Sequence, residues 1–381
     1  MEAEFGYAID HLLATDDAKP PSSDDSLPRD PQSLDIVDAA SRRSSEFAMW
    51  ADSIRIGERP LTSLRARVAA LAHDYVNSPL TPVFRELVNL RDDLFSLIRD
   101  RPDPARLQDM YFLAGATCAM LAYASGDLGF PHAARVQAQA ALACAEKADN
   151  ETLTAWVLGN QAMTSEWYGR PEEGLRFAAE ALTHAQKAQI PGTVLVRLAS
   201  IEARAYGRMG HTAAAIEAMD RASAARDLIE ARYTDELDEL DELGGILTFA
   251  LAKQHFYDGS AFLRIGSPAA AERTALATIS AYASGPSTQR SYGDEALAWV
   301  DVSTARVRQP SVDLDGAAQA LDVVYRLPPS LQIPALLQPL SELRRELELP
   351  RYRGSEIAKS MRETINDIRD NCFRSSSEIT S

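Results

Sequence analysis

Three glycines at nearly equal spacing place the strongest constraint on the fold of this chain. Gly129, Gly169 and Gly210 lie 40 and 41 residues apart, and a small residue follows each of them at the fifth position. The fifth, ninth and twelfth positions after these glycines hold Ala134, Gly174 and Ala215, then Ala138, Ala178 and Met219, then Ala141, Ala181 and Ala222. A later glycine, Gly266, is followed by Ala271 and Ala275 at the same offsets. Such regular spacing indicates a repeated structural unit.

The unit is typical of tetratricopeptide repeats, in which a glycine ends one helix and small residues let a second helix pack closely against it. An Ala-rich helical bundle also produces small residues three and four apart, but four units with matching offsets favour the repeat. A fifth, degenerate unit spans Trp299–Val324, where Val312 takes the place of the glycine. The sequence therefore predicts an all-α fold of tetratricopeptide-like helical-hairpin repeats that form an irregular right-handed α-solenoid.

Pro, Gly and Ser clusters divide the chain into four predicted regions. Residues 1–33 contain a short helix and a flexible linker rich in Pro, Ser and Asp, and residues 34–104 form an N-terminal helical region. Residues 105–348 hold the repeats, and residues 349–381 form a capping helix, from about Ser355 to Cys372, and a polar tail.

The charge balance argues against a protein that coats nucleic acid. The chain has 55 Asp and Glu against 39 Lys and Arg, a formal net charge of -16, whereas phosphate binding needs a basic surface. No uncharged run reaches the roughly 20 apolar residues of a membrane span, and the acidic N-terminus does not resemble a signal peptide. The three scattered cysteines suit a reducing compartment. We expect a cytoplasmic protein that does not bind membranes.

Catalytic motifs are missing from the sequence. We find no Gly-rich phosphate loop, zinc-binding signature, Cys-x-x-Cys or nucleophile elbow. Glu166 and His184 could be considered as an acid–base pair, but a lone His on a repeat helix is more often a surface or packing residue. Cys118 and Cys144 lie in apolar helices and are expected to be inert core thiols. The predictions are no enzymatic activity, no cofactor and no metal.

The repeat register predicts which side chains face the concave surface of the solenoid. The second, fifth, ninth, twelfth and thirteenth positions of each unit carry an unusual set of basic and aromatic residues: Trp156, Trp167, Arg197, Arg204, Arg208, Lys253 and Arg264. Guanidinium groups bind carboxylate or phosphate with paired hydrogen bonds, and aromatic rings add stacking area. The predicted partner is a peptide, a protein segment or a small anionic ligand. Equally open is a structural role, in which these arginines pair with carboxylates of the same chain or cap helix C-termini.

The run Asp235–Gly244 places six carboxylates within eight residues, interleaved with Leu237, Leu240 and Leu243. The spacing does not fit a calcium loop, and the leucines predict the start of an amphipathic helix with Thr234 as its N-cap. A second possibility is that this run folds against the basic surface as an internal mimic of an acidic partner.

Several longer phrases resemble a known family. They are the run RARVAALAHDYVNSPLTPVFRELVNLRDDLFSLI from Arg65, YFLAG from Tyr111, Gly244 to Gly266, the Arg290-Ser-Tyr-Gly tetrad, and Asp315-Gly-Ala-Ala leading to Leu327-Pro-Pro. Together they resemble the tetratricopeptide half of actinobacterial transcriptional regulators, over about Leu61 to Glu346. The resemblance implies a cytoplasmic, transcription-linked sensor or interaction scaffold. In that family a helix-turn-helix of the Cro/repressor type usually precedes the repeats.

Residues 1–60 depart from the family pattern, because they contain no unit with two short helices and a recognition helix. Direct nucleic acid binding by this chain is therefore doubtful. We expect a non-enzymatic regulatory scaffold that acts on gene expression or development, as a homodimer or beside a separate DNA-binding partner. Two alternatives stay open: a transcriptional regulator whose helix-turn-helix is non-standard or encoded upstream, and a small-molecule-responsive regulator of an adjacent enzyme.

Overall fold

Helices account for all regular secondary structure that the computed structural model describes, which covers residues 58–100, 104–188, 192–231, 237–286 and 290–377. The fifteen α-helices of these residues are α1 Glu58–Asn77, α2 Leu80–Arg99, α3 Pro104–Asp127, α4 Pro131–Lys147, α5 Glu151–Trp167, α6 Pro171–Ala185, α7 Val194–Arg208, α8 Thr212–Glu230, α9 Glu239–Leu243, α10 Leu251–Arg264, α11 Pro268–Ser284, α12 Tyr292–Arg308, α13 Leu314–Tyr325, α14 Leu337–Leu347 and α15 Glu356–Ser377. Single 3-10 turns occur at Gly245–Leu247, Pro329–Leu331, Pro334–Leu336 and Pro350–Tyr352. The prediction of an all-helical protein is confirmed for this part of the chain.

Four of the helix pairs are joined by the same turn, at the four repeat glycines. After α3, the Gly129 N–H donates to the Gly126 carbonyl (3.0 Å) and the Phe130 N–H donates to the Ser125 carbonyl (2.8 Å). The same two bonds recur after α5, α7 and α10. Each of the four glycines has a positive φ, between 74° and 87°, which favours glycine because it has no Cβ. The glycine spacing therefore marks the helix ends as predicted.

The small residues that follow these glycines lie at the interfaces between paired helices. Ala134, Ala178 and Ala215 are buried, with no more than 3% of their surface exposed. Gly174 is a close contact, since a Cβ there would lie 2.8 Å from the carbonyl oxygen of Ala162 on α5. The second helix of each pair thus approaches the first closely enough to exclude larger side chains.

The boundary between α4 and α5 has no glycine or proline, and sequence analysis missed it. Helix α4 ends at Lys147, and Asp149 takes a positive φ of 50°, which Asp tolerates better than most residues. Asn150 then caps α5 by accepting a hydrogen bond from the Leu153 N–H (2.8 Å). A left-handed Asp here performs the role that glycine performs at the other turns.

Two sets of helices differ in how they are buried. We call α3, α5, α7, α10 and α12 the inner helices, because each packs against the next inner helix as well as its own hairpin partner. Helices α4, α6, α8, α11 and α13 are the outer helices, which bury a single stripe. Helix α1 contacts both α3 and α12, the first and last inner helices, and α14 packs on α12. The inner surface is therefore covered by other helices of the same chain.

The described part of the acidic run, residues 237–244, forms a strap over the N-terminal ends of two inner helices, α5 and α7. The Thr193 N–H, directly before α7, donates to Asp241 (2.7 Å), and the Asn150 side chain donates to Glu239 (3.0 Å). The strap also packs on α1, where a Cβ on Gly245 would collide with the Ala72 carbonyl. These carboxylates face helix N-termini, where the helix dipole favours negative charge.

The position of the acidic run tests part of the prediction that it starts an amphipathic helix. Its described helix, α9, has only five residues and is capped by Asp238 instead of Thr234, which lies outside the described residues. Leu240 and Leu243 are buried, whereas Leu237 is exposed. The short helix and the linker predicted in residues 1–33, and residues 34–57 of the predicted N-terminal helical region, also lie outside the described residues.

Candidate functional site

One buried carboxylate organises the basic residues of the inner helices. Glu166 of α5 is 1% exposed and accepts Arg208 Nε at 2.7 Å, while Arg204 Nη2 and Arg264 Nη2 each lie 3.3 Å from its oxygens. Helices α7 and α10 supply these arginines, because positions four residues apart on α7 share one face and α10 packs beside it. We call these four residues the arginine cluster.

Electrostatics in the arginine cluster favours the ionised carboxylate. Burial alone would raise the pKa of Glu166, but Arg204, Arg264 and Arg208 outweigh it and lower the pKa to about 2. Burial likewise lowers the pKa of Arg264 to about 10, opposed by Glu166. Glu166 therefore stays charged throughout the physiological pH range and holds the three guanidinium groups together.

The single carboxylate does not satisfy all the donors of the cluster. Nε and Nη1 of Arg204 and Nη2 of Arg208 are buried without a hydrogen-bond partner, and so is Nε1 of Trp167. The Arg204 guanidinium lies 5.7 Å from the Trp167 ring and 4.7 Å from the Tyr257 ring. Asp301 of α12 also has a buried, unpartnered oxygen, and burial raises its pKa to about 7. Unmet donors in such density are unusual in a folded interior.

A second buried arginine lies apart from the cluster. Arg197 is 2% exposed, stacks 4.3 Å above the Trp156 ring and donates to the Trp156 carbonyl (2.7 Å). Gly159 makes room for it, since a Cβ there would lie 2.9 Å from Arg197 Nη1. Among the described residues no carboxylate pairs with Arg197, and burial lowers its pKa. The aromatic ring and a carbonyl stabilise this cation in place of a carboxylate.

A small cavity of about 50 Å³, partly open to solvent, lies between the start of α12, α1, α3 and α10. Tyr75 donates to Asp127 Oδ2 (2.9 Å), Tyr282 donates to Asp294 Oδ2 (3.0 Å), and Lys253 Nζ lies 3.7 Å from that same Asp294 oxygen. Trp167 also lines this central cavity, which places the cavity next to the arginine cluster.

A larger cleft of about 240 Å³ adjoins the central cavity on the side of the acidic strap. Both spaces share Val76, Ile246, Lys253, Ser291 and Asp294 in their walls.

The prediction that seven residues line an open concave surface is wrong in one respect, the exposure of their side chains. Four of them are buried at 6% exposure or less: Trp156, Arg197, Arg204 and Lys253. Trp167, Arg208 and Arg264 are partly buried. The physical reason is the cover of the inner surface by α1, α14 and Gly245–Leu247, which the repeat pattern does not encode. Their predicted role in binding stays a prediction.

The alternative in which the arginines pair within the chain is confirmed for Arg204, Arg208 and Arg264. Their partner is Glu166, and not the acidic strap, whose described carboxylates contact Thr193, Asn150 and Arg65. The internal mimic is therefore wrong for the described residues.

The acid–base pair considered from the sequence does not form. His184 contacts Glu151, far from the arginine cluster that holds Glu166. Cys118 and Cys144 are buried as predicted, and burial raises their thiol pKa values to about 12 and about 11.

Sequence reasoning missed the acidic and phenolic groups of the central cavity, chiefly Asp127, Asp294 and Tyr75. Asp294 follows the helix cap Ser291 and resembles an ordinary first-turn acid. The only available signal for Asp127 is its place at the end of an otherwise apolar helix. Neither feature distinguishes a cavity residue from a helix terminus.

Metal-binding groups and membrane-spanning helices are both absent from the described residues. No group of three or more His, Cys, Asp or Glu side chains among them could hold a metal ion. None of their helices combines the length and the apolar character needed to cross a bilayer. No family model, no curated protein and no solved structure matches this chain.

Proposed function

We propose that this protein is a non-enzymatic regulatory scaffold of tetratricopeptide type that binds a small anionic ligand beside the arginine cluster. The identical glycine turns and the buried small residues support the repeat, and with it an irregular right-handed solenoid. The regulatory output, on gene expression or development in the cytoplasm, would pass through a homodimer or a separate DNA-binding partner.

The observation that carries the proposal is the excess of unmet donors around Glu166. Three arginines share one carboxylate, and three of their nitrogen atoms have no partner. A buried donor without an acceptor costs about 1–3 kcal/mol, and more when it is charged. An anion that accepted these N–H groups would remove this cost, and its binding would be charge-assisted.

The cover over the inner helices favours a small ligand over a peptide or a protein segment. Helix α14 reaches the cluster directly, with Glu342 Oε1 3.8 Å from Arg208 Nη1. An extended peptide along the inner helices would have to displace α1 and α14. A small anion would have to displace less of this cover, and Trp167 in the wall of the central cavity lies 5.7 Å from Arg204.

The test is calorimetric titration with citrate and inorganic phosphate at constant ionic strength, together with thermal unfolding. We expect saturable binding of at least one anion and a rise in melting temperature. Arg208→Met should weaken the binding about tenfold or more, because it removes one charge while Arg204 and Arg264 still neutralise Glu166.

The matched control is Arg326→Met, which removes an arginine whose side chain is 77% exposed and pairs only with Asp322 one turn away. It should leave anion binding unchanged. Equal binding by the wild type and Arg208→Met, or no binding of either anion, would refute the anion site.

A further inference from the structure

Helix α14 places a second carboxylate beside the arginine cluster. Glu342 Oε1 lies 3.8 Å from Nη1 of Arg208, and the Glu342 side chain is 29% exposed. Arg208 is also the cluster arginine with the most exposed side chain, at 19% against 15% for Arg264 and 5% for Arg204. Arg208 therefore lies between the buried carboxylate of Glu166 and the partly exposed carboxylate of Glu342.

The two ion pairs of Arg208 differ in how closely their atoms approach. Arg208 Nε donates to Glu166 at 2.7 Å, which is a normal charge-assisted hydrogen bond. The 3.8 Å between Arg208 and Glu342 is too long for a hydrogen bond, and Glu342 Oε1 accepts one from the Gln338 amide instead (3.1 Å). A loose pair between partly exposed groups contributes little to stability, so another anion can replace it at small cost.

The next acid on the same face of α14 is held more tightly. Glu346, one turn after Glu342, accepts Nε of Arg308 on α12 at 2.8 Å, and Nη2 of Arg308 lies 2.7 Å from the same oxygen. The helix also packs on α12 and α15 and buries three leucines: Leu340, Leu343 and Leu347. These contacts hold α14 in place without Glu342.

The charge of Glu342 acts on the cluster beyond its contact with Arg208. Burial lowers the pKa of Arg264 to about 10, and Glu166 and Glu342 are the two carboxylates that oppose this effect. A negative ligand at the cluster would therefore be repelled by Glu342 and would compete with it for Arg208.

We infer that Glu342 is an internal competitor for the anion, so that ligand binding at Arg208 displaces the Glu342 carboxylate. This inference deepens the proposed function and rests on it. The consequence is a lower apparent affinity, because the ligand binds only when Arg208 is free of its internal partner. The site would then respond to a higher ligand concentration than the arginines alone would set.

The experiment compares the wild type, Glu342→Gln and Glu348→Gln by calorimetric titration with citrate and inorganic phosphate at constant ionic strength. Glu342→Gln should bind the anion about three- to fivefold more tightly, because it removes both the internal ion pair and a like charge. Glu348→Gln is the matched control, since Glu348 ends the same helix, is 50% exposed and pairs with Arg344 one turn away. Its affinity should match that of the wild type.

A double variant separates competition at Arg208 from general repulsion between negative charges. When Arg208→Met is already present, Glu342→Gln should give no further gain in affinity, because the contact that it releases is gone. General repulsion would give the same gain whether or not Arg208 is present. Urea unfolding of each variant confirms that it is folded before the titration.

Tighter binding by Glu342→Gln that depends on Arg208 would support the inference. It would be overturned by an equal gain without Arg208 or an equal gain in Glu348→Gln. Wild-type binding that Arg208→Met weakens and Glu342→Gln does not tighten would overturn the competition alone and leave the anion site standing. No binding of either anion by the wild type or by Glu342→Gln would overturn both.

Discussion

The inner and outer helices of this protein differ in how much of their circumference is buried. On the inner helix α3 every residue from Phe112 to Asp127 is buried. On the outer helix α6 only Pro171, Gly174, Ala178, Ala181 and Ala185 are buried, three or four residues apart. A helix that is buried on one side shows a periodic pattern of small or apolar residues in its sequence. A helix that is buried on all sides shows no such pattern.

The difference also decides where charge is costly. A charged residue on an outer helix faces water and needs no partner. On an inner helix the same residue loses its hydration and must be paired, as Glu166 is, or carry the cost, as Asp258 does with one unpartnered oxygen. Three substitutions test this comparison, from the largest expected effect to the smallest.

The largest effect should come from Glu166→Gln. The amide removes the carboxylate that three largely buried guanidinium groups share and leaves Glu342, 3.8 Å from Arg208, as the remaining ion-pair partner. The free energy of unfolding should therefore fall by about 3–5 kcal/mol in guanidinium chloride denaturation. On the outer helix α6, Glu180→Gln changes an exposed carboxylate and should stay within about 0.5 kcal/mol. A loss below about 1 kcal/mol for Glu166→Gln would mean that the cluster does not depend on its carboxylate.

An intermediate effect is expected for Gly174→Ala at the interface of α5 and α6. In an exposed helix this change stabilises by about 0.5–1 kcal/mol, but here the new Cβ would lie 2.8 Å from the Ala162 carbonyl. We expect destabilisation of about 1–3 kcal/mol, measured by urea unfolding. The reverse change on the exposed face, Ala179→Gly, should cost only about 0.5–1 kcal/mol. Stabilisation by Gly174→Ala would show that the two helices are not closely packed there.

The smallest effect depends on pH and comes from Asp258→Asn. Burial raises the pKa of Asp258 from 3.8 to about 7, so between these values the folded state holds a proton that the unfolded state has lost. This residue's contribution to stability is complete below about pH 4 and declines as the pH rises through 7. At pH 8 Asp258→Asn should stabilise by about 1 kcal/mol, because only one of its two oxygens is buried without a partner, and at pH 4 it should be neutral. Chemical denaturation at both pH values measures the difference, and an equal effect at both would contradict the raised pKa.

Sequence analysis predicted the outer helices and the turns well because each depends on local chemistry. Gly129, Gly169, Gly210 and Gly266 end helices where the pattern placed them, since only a left-handed residue closes such a turn without strain. The boundary at Asp149 was missed because Asp adopts this conformation less often, so its presence carries a weaker signal.

For the candidate site, the sequence predicted which residues lie on the inner helices but not what surrounds them. The register correctly grouped Arg204, Arg208 and Arg264 on one surface. The alternative in which they pair within the chain predicted a carboxylate partner but did not identify it as Glu166. It gave no indication that α1 and α14 cover the arginines. The contact between Tyr75 and Asp127 depends on how α1 packs against α3. The contact between Tyr282 and Asp294 depends on how α11 and α12 pack together across the turn between them.

The sequence by itself determined the helical class, the position of the repeat turns and the identity of the inner-helix residues. Turn geometry and close helix packing impose rules at fixed short spacings, which a single chain displays directly. Only the tertiary structure decided that the arginines converge on one buried carboxylate and that a cavity with two aspartates opens beside them. Those features depend on how α1, α10, α12 and α14 pack together with the other inner helices, which many small packing angles set and no local motif records.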